Sequence, residues 1–264
     1  MTNSFPRVTV ALFSLLPLVV FVSSVRGGDF MVSLDPADEP SEWRFRVTPY
    51  MWAAGISGDF AQFGLPEVAA NKSFSDVLEN LDIGVMAAFE GMRGRYGFLA
   101  DLMHVRLSGS GVAAAGLPFP VALDVTSTST TGMLAGQFRW LDSAGGYLDV
   151  IGGARMWALS TRIRAGSPVN QSRRDRARWV DPVVGVKGLR SINERFYLTG
   201  WIMAGGYVGN AEPFVDLMAG VGYKINDQVA LIAAYRQMTV DYRDGAFVYD
   251  AVQHGFGLGL DIRF

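Results

Sequence analysis

The feature that most constrains this chain is an alternation of apolar with polar or small residues at a period of two. It is most regular in residues 255–264, GFGLGLDIRF, where the even positions carry Phe, Leu or Ile and the odd positions carry Gly, Asp or Arg. Successive side chains of a β-strand point to opposite faces, so this period predicts a strand with one apolar face. The same period recurs from residue 42 onward, for example in TGMLAGQFRW (131–140) and VDLMAGVGYK (215–224).

The connections between these blocks decide what kind of β-protein they build, because a soluble sandwich shows the same alternation. Short polar turns occur at 94–97, 142–146, 193–195 and 226–228, and longer connections occur at 108–120, 164–178, 209–213 and 243–246. Tight turns at one end and longer loops at the other are typical of a bacterial outer-membrane barrel.

We predict an all-β fold, an antiparallel up-and-down transmembrane β-barrel of about ten strands. The predicted strands cover residues 42–62, 82–93, 95–107, 121–141, 146–163, 178–192, 196–208, 212–225, 228–243 and 247–264. An even number of strands closes such a ring without an unpaired edge that faces lipid. Eight or twelve strands remain alternatives, because the first block could instead form a tight hairpin.

One segment departs from the period of two. In SFSDVLENLD, Ser73 and Asp76 resemble a capping box, and apolar residues recur at helical spacing at positions 74, 77, 78 and 81. We therefore predict a short amphipathic helix near residues 73–81. It could lie in a loop at the barrel mouth or enter the lumen as a plug.

The N-terminal segment has the pattern of an export signal. Arg7 precedes the apolar run VTVALFSLLPLVVFV, and small residues follow in SSVRGG. We predict a cleaved signal peptide over 1–27, a flexible acidic leader over 28–41 and the barrel over 42–264. No later stretch approaches the ~20 apolar residues that a membrane-spanning helix needs. An exported barrel is expected in the bacterial outer membrane.

Composition excludes several kinds of function. The formal net charge is -2, which argues against a nucleic-acid partner, and the absence of Cys excludes disulfides, thiolate metal sites and Cys nucleophiles. The two histidines, His104 and His254, form no HxxxH or HExxH motif. We expect no metal and no cofactor.

Charges of both signs gather on the side of the strands opposite to the apolar side. We place them in the lumen, because an Arg or Lys in the middle of the hydrocarbon costs about 2–4 kcal/mol. The predicted lumen charge network comprises Glu90, Asp101, Arg139, Asp149, Arg155, Asp181, Lys187, Asp216, Lys224, Arg236, Asp261 and Arg263, with Arg44 and Arg46 as further candidates. It could be a structural ion-pair network in a closed barrel, or the lining of a narrow, porin-like channel.

An enzyme of the lipid A-modifying or peptidase type, with a His-based site at the outer rim, is the alternative function. Ser108 and Ser110 lie near His104 in sequence, and Asp250 lies near His254, so nucleophile, base and orienting acid are all represented. However, both histidines share the parity of the lipid-facing residues. We therefore predict no enzymatic activity and no catalytic residues.

The segment QSRRDRARW (171–179) is predicted to be a loop that carries four arginines around Asp175. They are Arg173, Arg174, Arg176 and Arg178. Such a loop, if extracellular, could bind lipopolysaccharide phosphates through bidentate contacts. The alternative is a solvated loop anchored by Trp179.

Aromatic residues gather near the predicted strand ends, as in the girdles of membrane barrels. They are Trp43, Tyr96, Trp140, Tyr147, Trp179, Phe196 and Phe264. The last strand, which ends on Phe264, resembles the terminal signal that the barrel-assembly machinery recognises. We expect that machinery and outer-membrane lipid as partners.

Several stretches together resemble a widespread, largely uncharacterised family of bacterial outer-membrane β-barrel proteins. They are RVTPYMWAAGISGDF, SFSDVLENLDIGVMAAFEGMRGRYGFLADLMHV, GARMW, RWVDPVVGVKG, AAYRQMTVDY and HGFGLGLDIRF. They span most of residues 44–264 in order. The resemblance implies the barrel and the membrane, and it implies no reaction.

Overall fold

The computed structural model describes residues 42–113, 120–206 and 212–264. The predicted signal peptide and leader lie outside the described residues. Among the residues that the structure describes, no helix is both long and apolar enough to cross a membrane.

The described residues form eleven strands and one short helix. In chain order these are β1 (Arg44–Ala61), β2 (Val68–Lys72), α1 (Phe74–Glu79), β3 (Leu81–Arg93), β4 (Tyr96–Ala113), β5 (Val121–Ser143), β6 (Gly146–Ala165), β7 (Gln171–Ser191), β8 (Phe196–Gly205), β9 (Phe214–Lys224), β10 (Val229–Asp244) and β11 (Phe247–Arg263).

Ten of the strands form a closed antiparallel ring, which confirms the predicted fold and strand number. Each ring strand pairs with the next one in sequence, and β11 pairs with β1 from Arg46↔Arg263 to Ala61↔Val248. The extra strand β2 was not predicted; it lies outside the ring and pairs only with the upper part of β1. β1 and β3 pair over a short stretch, from Arg44↔Met92 to Pro49↔Ala87.

The two ends of the ring differ in their connections. At one end, here called the tight-turn end, lie Arg44, Phe264 and the turns at 94–95, 144–145, 192–195 and 225–228. Phe45 and Phe264 exchange backbone hydrogen bonds there, at 2.9 and 3.0 Å. At the other end, the loop end, lie the connections at 62–80, 166–170 and 245–246, together with the ends of β4 at Ala113 and of β8 at Gly205.

The predicted start of β7 is wrong. The strand was expected to begin at residue 178, whereas it begins at Gln171 and continues through the arginine-rich segment. β6 likewise runs to Ala165, and only residues 166–170 connect the two strands. In this part of β7 polar residues occupy both faces of the strand. Apolar and polar residues therefore no longer alternate, and the sequence pattern that marks a strand is absent.

The predicted helix is present as α1, with a capping box at its start. The Ser73 hydroxyl accepts a hydrogen bond from the Asp76 N–H at 3.3 Å, and the Asp76 carboxylate accepts one from the Ser73 N–H at 2.8 Å. These side-chain and backbone hydrogen bonds from Ser73 lower the pKa of Asp76. No residue of α1 is buried, so it is a loop helix beside β1 and β2 and not a plug.

Side chains on the ring strands alternate between a buried interior and an exposed exterior. The exterior carries large apolar residues around the whole ring, and we call these the apolar belt. Its members include Leu102, Leu134, Met156, Val180, Val184, Ile202, Leu217, Leu231, Phe256 and Leu258.

Gly222 provides a test of how tightly the interior is packed. It faces the lumen opposite Tyr197 on the neighbouring strand, and a Cβ at Gly222 would overlap the Tyr197 ring. We expect Gly222→Ala to lower the free energy of unfolding by about 1–3 kcal/mol, because the ring must move in a packed interior. Urea unfolding in lipid vesicles measures this.

The matched control is Gly132→Ala on the exterior, where the nearest atom to an added Cβ is Met156 Cε at 3.9 Å. Equal stability losses for the two variants would contradict the packing of Tyr197 against Gly222.

Candidate functional site: the filled lumen

Inward side chains are buried through the middle of the ring, whereas Gln171 and Arg173, near the loop end, are exposed. The exposed fraction is 0% for Arg155, Phe214 and Asp216 alike. Three sets of residues occupy successive levels: an ion-pair layer at the tight-turn end, a central arginine pair (Arg155 and Arg236), and an aromatic layer at the loop end.

Arg236, on β10, links three sides of the lumen. Its Nη2 donates hydrogen bonds to Asp216 at 2.7 Å and to Asp101 at 3.0 Å. Its Nη1 donates to the Tyr50 hydroxyl at 3.1 Å, and that hydroxyl donates to Asp101 at 2.6 Å. One guanidinium therefore ties β10 to β9, β4 and β1.

Arg155, on β6, reaches the same carboxylate from the opposite wall. Its Nη2 donates to Asp216 at 2.7 Å, and the Trp201 indole N–H donates to the other oxygen of Asp216 at 3.0 Å. Asp216 and Asp101 together balance the charges of Arg155 and Arg236. Balance matters because removing one partner of a buried ion pair leaves an uncompensated charge, which costs roughly 3–5 kcal/mol.

The ion-pair layer connects further strands at the tight-turn end. The Glu90 carboxylate accepts hydrogen bonds from Lys187 and, at 3.1 Å, from the Gln137 amide. Arg46 lies 3.8 Å from Glu90 and 3.2 Å from Asp261. Arg46, on β1, thus lies between the carboxylate of Glu90 on β3 and that of Asp261 on β11.

The ion-pair layer continues along β5 and β6. Arg139 holds Asp149 with two hydrogen bonds, at 2.8 and 3.2 Å, and its guanidinium carbon lies 4.0 Å from the centroid of the Tyr147 ring. On β11, Arg263 lies 2.8 Å from Asp261. Such charge-assisted pairs are the strong hydrogen bonds of a protein interior.

The aromatic layer lies toward the loop end of the lumen. The rings of Trp179 and Tyr242 stack with their centroids 4.0 Å apart, and the Trp157 ring stacks with Trp179 at 5.6 Å. Phe214 meets Trp157 edge-on at 6.0 Å. Both indole N–H groups donate to Asp181, at 2.9 and 3.0 Å. The Trp179–Tyr242 stack therefore connects β7 with β10, which are not neighbours in the ring.

The structure places the predicted lumen charges on the inner face, and ten of the twelve are buried. Arg263 is partly exposed but paired, whereas Lys224 forms no ion pair with any residue that the structure describes. Asp181 accepts hydrogen bonds from two indoles and forms no ion pair with the residues that the structure describes.

The expected aromatic girdle holds only in part. Trp179 and Tyr147 were expected at the membrane interface, but both point into the lumen, because each lies two residues from an inward aspartate, Asp181 and Asp149 respectively. Parity alone would have shown this. The remaining five are exposed at the tight-turn end: Trp43, Tyr96, Trp140, Phe196 and Phe264.

The two histidines lie on the outer face and bind hydroxyl groups. His104 Nδ1 is 2.8 Å from the Thr130 hydroxyl, and His254 Nδ1 is 3.0 Å from the Tyr235 hydroxyl. Across residues 42–113, 120–206 and 212–264, neither histidine contacts a serine or a carboxylate. The geometry of a nucleophile–base–acid set is therefore not assembled.

The other residues of the alternative enzyme site also have different partners. The Ser108 hydroxyl donates to Asp82 at 2.6 Å, and Asp250 lies 3.6 Å from Arg243. Ser110 is exposed on the outer face of β4. Among the described residues no group of three His, Asp or Glu side chains is placed to hold a metal ion.

The arginines of 171–179 do not surround Asp175, because the segment is a strand. Arg174, Arg176 and Arg178 have the outward parity, and Arg173 has the inward one. The Asp175 carboxylate accepts hydrogen bonds from two backbone N–H groups, those of residue 63 at 2.7 Å and residue 176 at 2.8 Å.

Comparison with known proteins bears on the fold. No protein-family model matches the chain, and no curated protein matches it. Among solved structures it is similar to the outer membrane protease OmpT from Escherichia coli, with a TM-score of 0.55, 12% identity, and coverage of 86% of this chain and 98% of that chain. The chain has the fold of a bacterial outer-membrane β-barrel.

A second similar structure is the translocator domain of the autotransporter NalP from Neisseria meningitidis. It has a TM-score of 0.48 and 13% identity, and the match covers 87% of this chain and 91% of that chain. The similarity to OmpT, with its TM-score of 0.55, confirms the expected resemblance to bacterial outer-membrane barrels for the fold. At these identities the similarity concerns the fold alone.

The central arginine pair gives a test of the lumen network. We expect Asp216→Ala to destabilise the barrel by roughly 3–5 kcal/mol, because Arg155 loses its carboxylate partner in a buried site. Urea unfolding in lipid vesicles, followed by the gel shift between folded and boiled protein, measures the loss.

The matched control is Asp82→Ala, which breaks the exposed 3.3 Å ion pair with Arg106 and should change stability by less than about 1 kcal/mol. If Asp216→Ala is as stable as the control, the network does not hold the barrel together.

Proposed function

We propose that this protein is an integral outer-membrane barrel with a structural role, sealed against ion flow by its own side chains. The apolar belt supports the membrane placement: Leu134, Phe256 and Leu258 are 64, 73 and 66% exposed. Water-soluble monomers rarely expose large contiguous apolar areas, whereas lipid is the solvent that such an outer face requires.

The ring also suggests its own orientation. Tight turns face the periplasm in outer-membrane barrels, and the longer loops face outward. Under this proposal the tight-turn end, with Phe264, is periplasmic. The loop end, with the aromatic layer, is extracellular.

The 4.0 Å stack of Trp179 on Tyr242 is the observation that favours a sealed barrel over a channel. An eight-stranded ring is just filled by side chains, so a ten-stranded one has room for little more. Here that room is taken by arginines and indoles, which contact residues on the facing wall. An ion would have to break both the aromatic layer and the Arg155–Asp216–Arg236 contacts to pass.

The proposal assigns the protein no reaction. OmpT, which shares the fold, is described as a protease, but in this chain His104 and His254 face outward and bind the hydroxyls of Thr130 and Tyr235. No geometric feature among the described residues favours peptide hydrolysis or lipid A modification.

Planar-bilayer recording tests the sealed barrel. We expect the purified wild-type protein to give no conductance steps. We expect the variant Arg155→Ala/Asp216→Ala/Trp179→Ala to give them, because it empties the lumen at two levels while Arg236 keeps Asp101 as its partner, so buried charge stays balanced.

A heat-modifiability gel of the same samples establishes that both proteins are folded. Stable conductance steps from the wild-type barrel would contradict the proposal. Fractionation tests the placement: recovery of the folded protein in a detergent-free periplasmic extract would contradict the membrane location.

A further inference from the structure

The outer wall of the loop end carries a set of arginines that take no part in the lumen network. Arg162 and Arg164 lie on β6, and Arg174, Arg176 and Arg178 lie on β7. They share the outward parity of the belt residues below them, and lower on the same strands the alternate residues Trp157, Leu159, Ala177 and Trp179 are buried. We call these five residues the arginine patch.

The strand register brings the members of the patch together. Arg162 is directly opposite Arg174, and residues 160 and 158 are opposite Arg176 and Arg178. Like charges directly opposite each other on neighbouring strands are destabilising. An anion that binds between them would remove that repulsion.

Nearby carboxylates do not neutralise the patch. Among the described residues none of the five guanidiniums forms an ion pair, although Asp124 is opposite Arg164 in the sheet register. Asp175 lies on the other parity and is bound by backbone N–H groups. The patch therefore presents five positive charges near one carboxylate, in contrast to the balanced charges of the lumen.

An apolar groove of about 570 Å³ lies on the outer wall beside the patch. Its lining includes the small residues Gly132 and Ala154 and the larger residues Leu102, Leu134, Met156 and Val180. Met156 and Val180 are opposite each other in the register, two residues before the pair formed by residue 158 and Arg178. At about 3.3 Å per residue, the groove begins roughly 7 Å from Arg178.

We propose that the arginine patch and this groove together bind a phosphorylated glycolipid of the outer leaflet, of the lipopolysaccharide type. The guanidiniums hold the phosphates, and the groove takes one acyl chain. Arginine suits this role because its planar fork binds phosphate oxygens bidentately. The inference rests on the proposed outer-membrane location, which puts the loop end at the outer leaflet.

The combination of charge and groove favours a lipid over free phosphate. A site for inorganic phosphate needs no apolar surface beside its arginines. An amphipathic anion, in contrast, would contact both the arginine patch and the apolar groove. The residues also differ from those expected from sequence: Arg173 is on the inner parity, and Arg162 and Arg164 on β6 take part.

The test is a binding titration of the detergent-purified full chain with three probes: bisphosphorylated lipid A, dephosphorylated lipid A and inorganic phosphate. We expect saturable binding of bisphosphorylated lipid A. Arg162→Ala/Arg174→Ala/Arg176→Ala should weaken it at least about tenfold, since hydrogen bonds between charged groups are lost.

The matched control is Arg93→Ala/Arg190→Ala/Arg195→Ala, which removes three exposed arginines at the tight-turn end and should leave the affinity unchanged. A heat-modifiability gel shows that each variant is folded. Equal weakening in both triple variants would overturn the proposal, because it would indicate general charge attraction.

Gly132→Leu tests the groove independently, because it adds a large side chain to the groove lining without removing a charge. It should weaken lipid A binding and leave phosphate binding unchanged, whereas Gly111→Leu, where an added Cβ has no atom within 4 Å, should change neither. Equal binding of dephosphorylated lipid A, or full competition by inorganic phosphate at equal concentration, would overturn the proposal. If the protein is a sealed barrel in the outer membrane but binds no lipid A, this inference is refuted and the proposed structural role is not.

Discussion

Pairing of β11 with β1 is the constraint on which the rest of the structure depends. A sheet in contact with lipid cannot leave an edge of unpaired N–H and C=O groups, so the ring must close. Once it is closed, every strand has one face toward the lumen and one toward the exterior, and alternation in sequence becomes separation in space. One edge of β1 pairs with β11. Along its other edge the first residues of β1 pair with β3, and residues 56–60 pair with the extra strand β2.

Closure also explains why the interior is an ion-pair network. Charged residues cannot face hydrocarbon, and the interior of a narrow barrel offers them little water, so each needs a partner of opposite sign. Asp216 receives Arg155 and Arg236 from facing walls, and Glu90 receives Lys187 and Arg46. The Arg155–Asp216 and Lys187–Glu90 contacts join strands that are not neighbours, so residues that satisfy buried charges also occupy the lumen.

At the loop end β6 and β7 extend past the apolar belt, and the same alternation now separates inward aromatic side chains from outward arginines. Inward residues, Trp157 and Trp179, stack on each other inside the lumen. Outward residues, among them Arg174 and Arg176, lie in a row above apolar surface. We infer that a barrel of this kind is closed inside and acts through its outer wall, where protein and lipid headgroups meet.

The sequence by itself determined the approximate positions of the ring strands, the inward parity of the charges and the capped helix α1, because periodicity, turn residues and capping are local properties. It favoured ten strands but left eight and twelve as alternatives. Only the tertiary structure decided that Arg236 binds Asp101, a residue 135 positions away, and that Trp179 stacks on Tyr242. Which inward side chains meet depends on which strands face each other across the closed ring. The strand character of residues 171–177 was also hidden, because beyond the belt both faces are polar and no hydrophobic period remains to mark the strand.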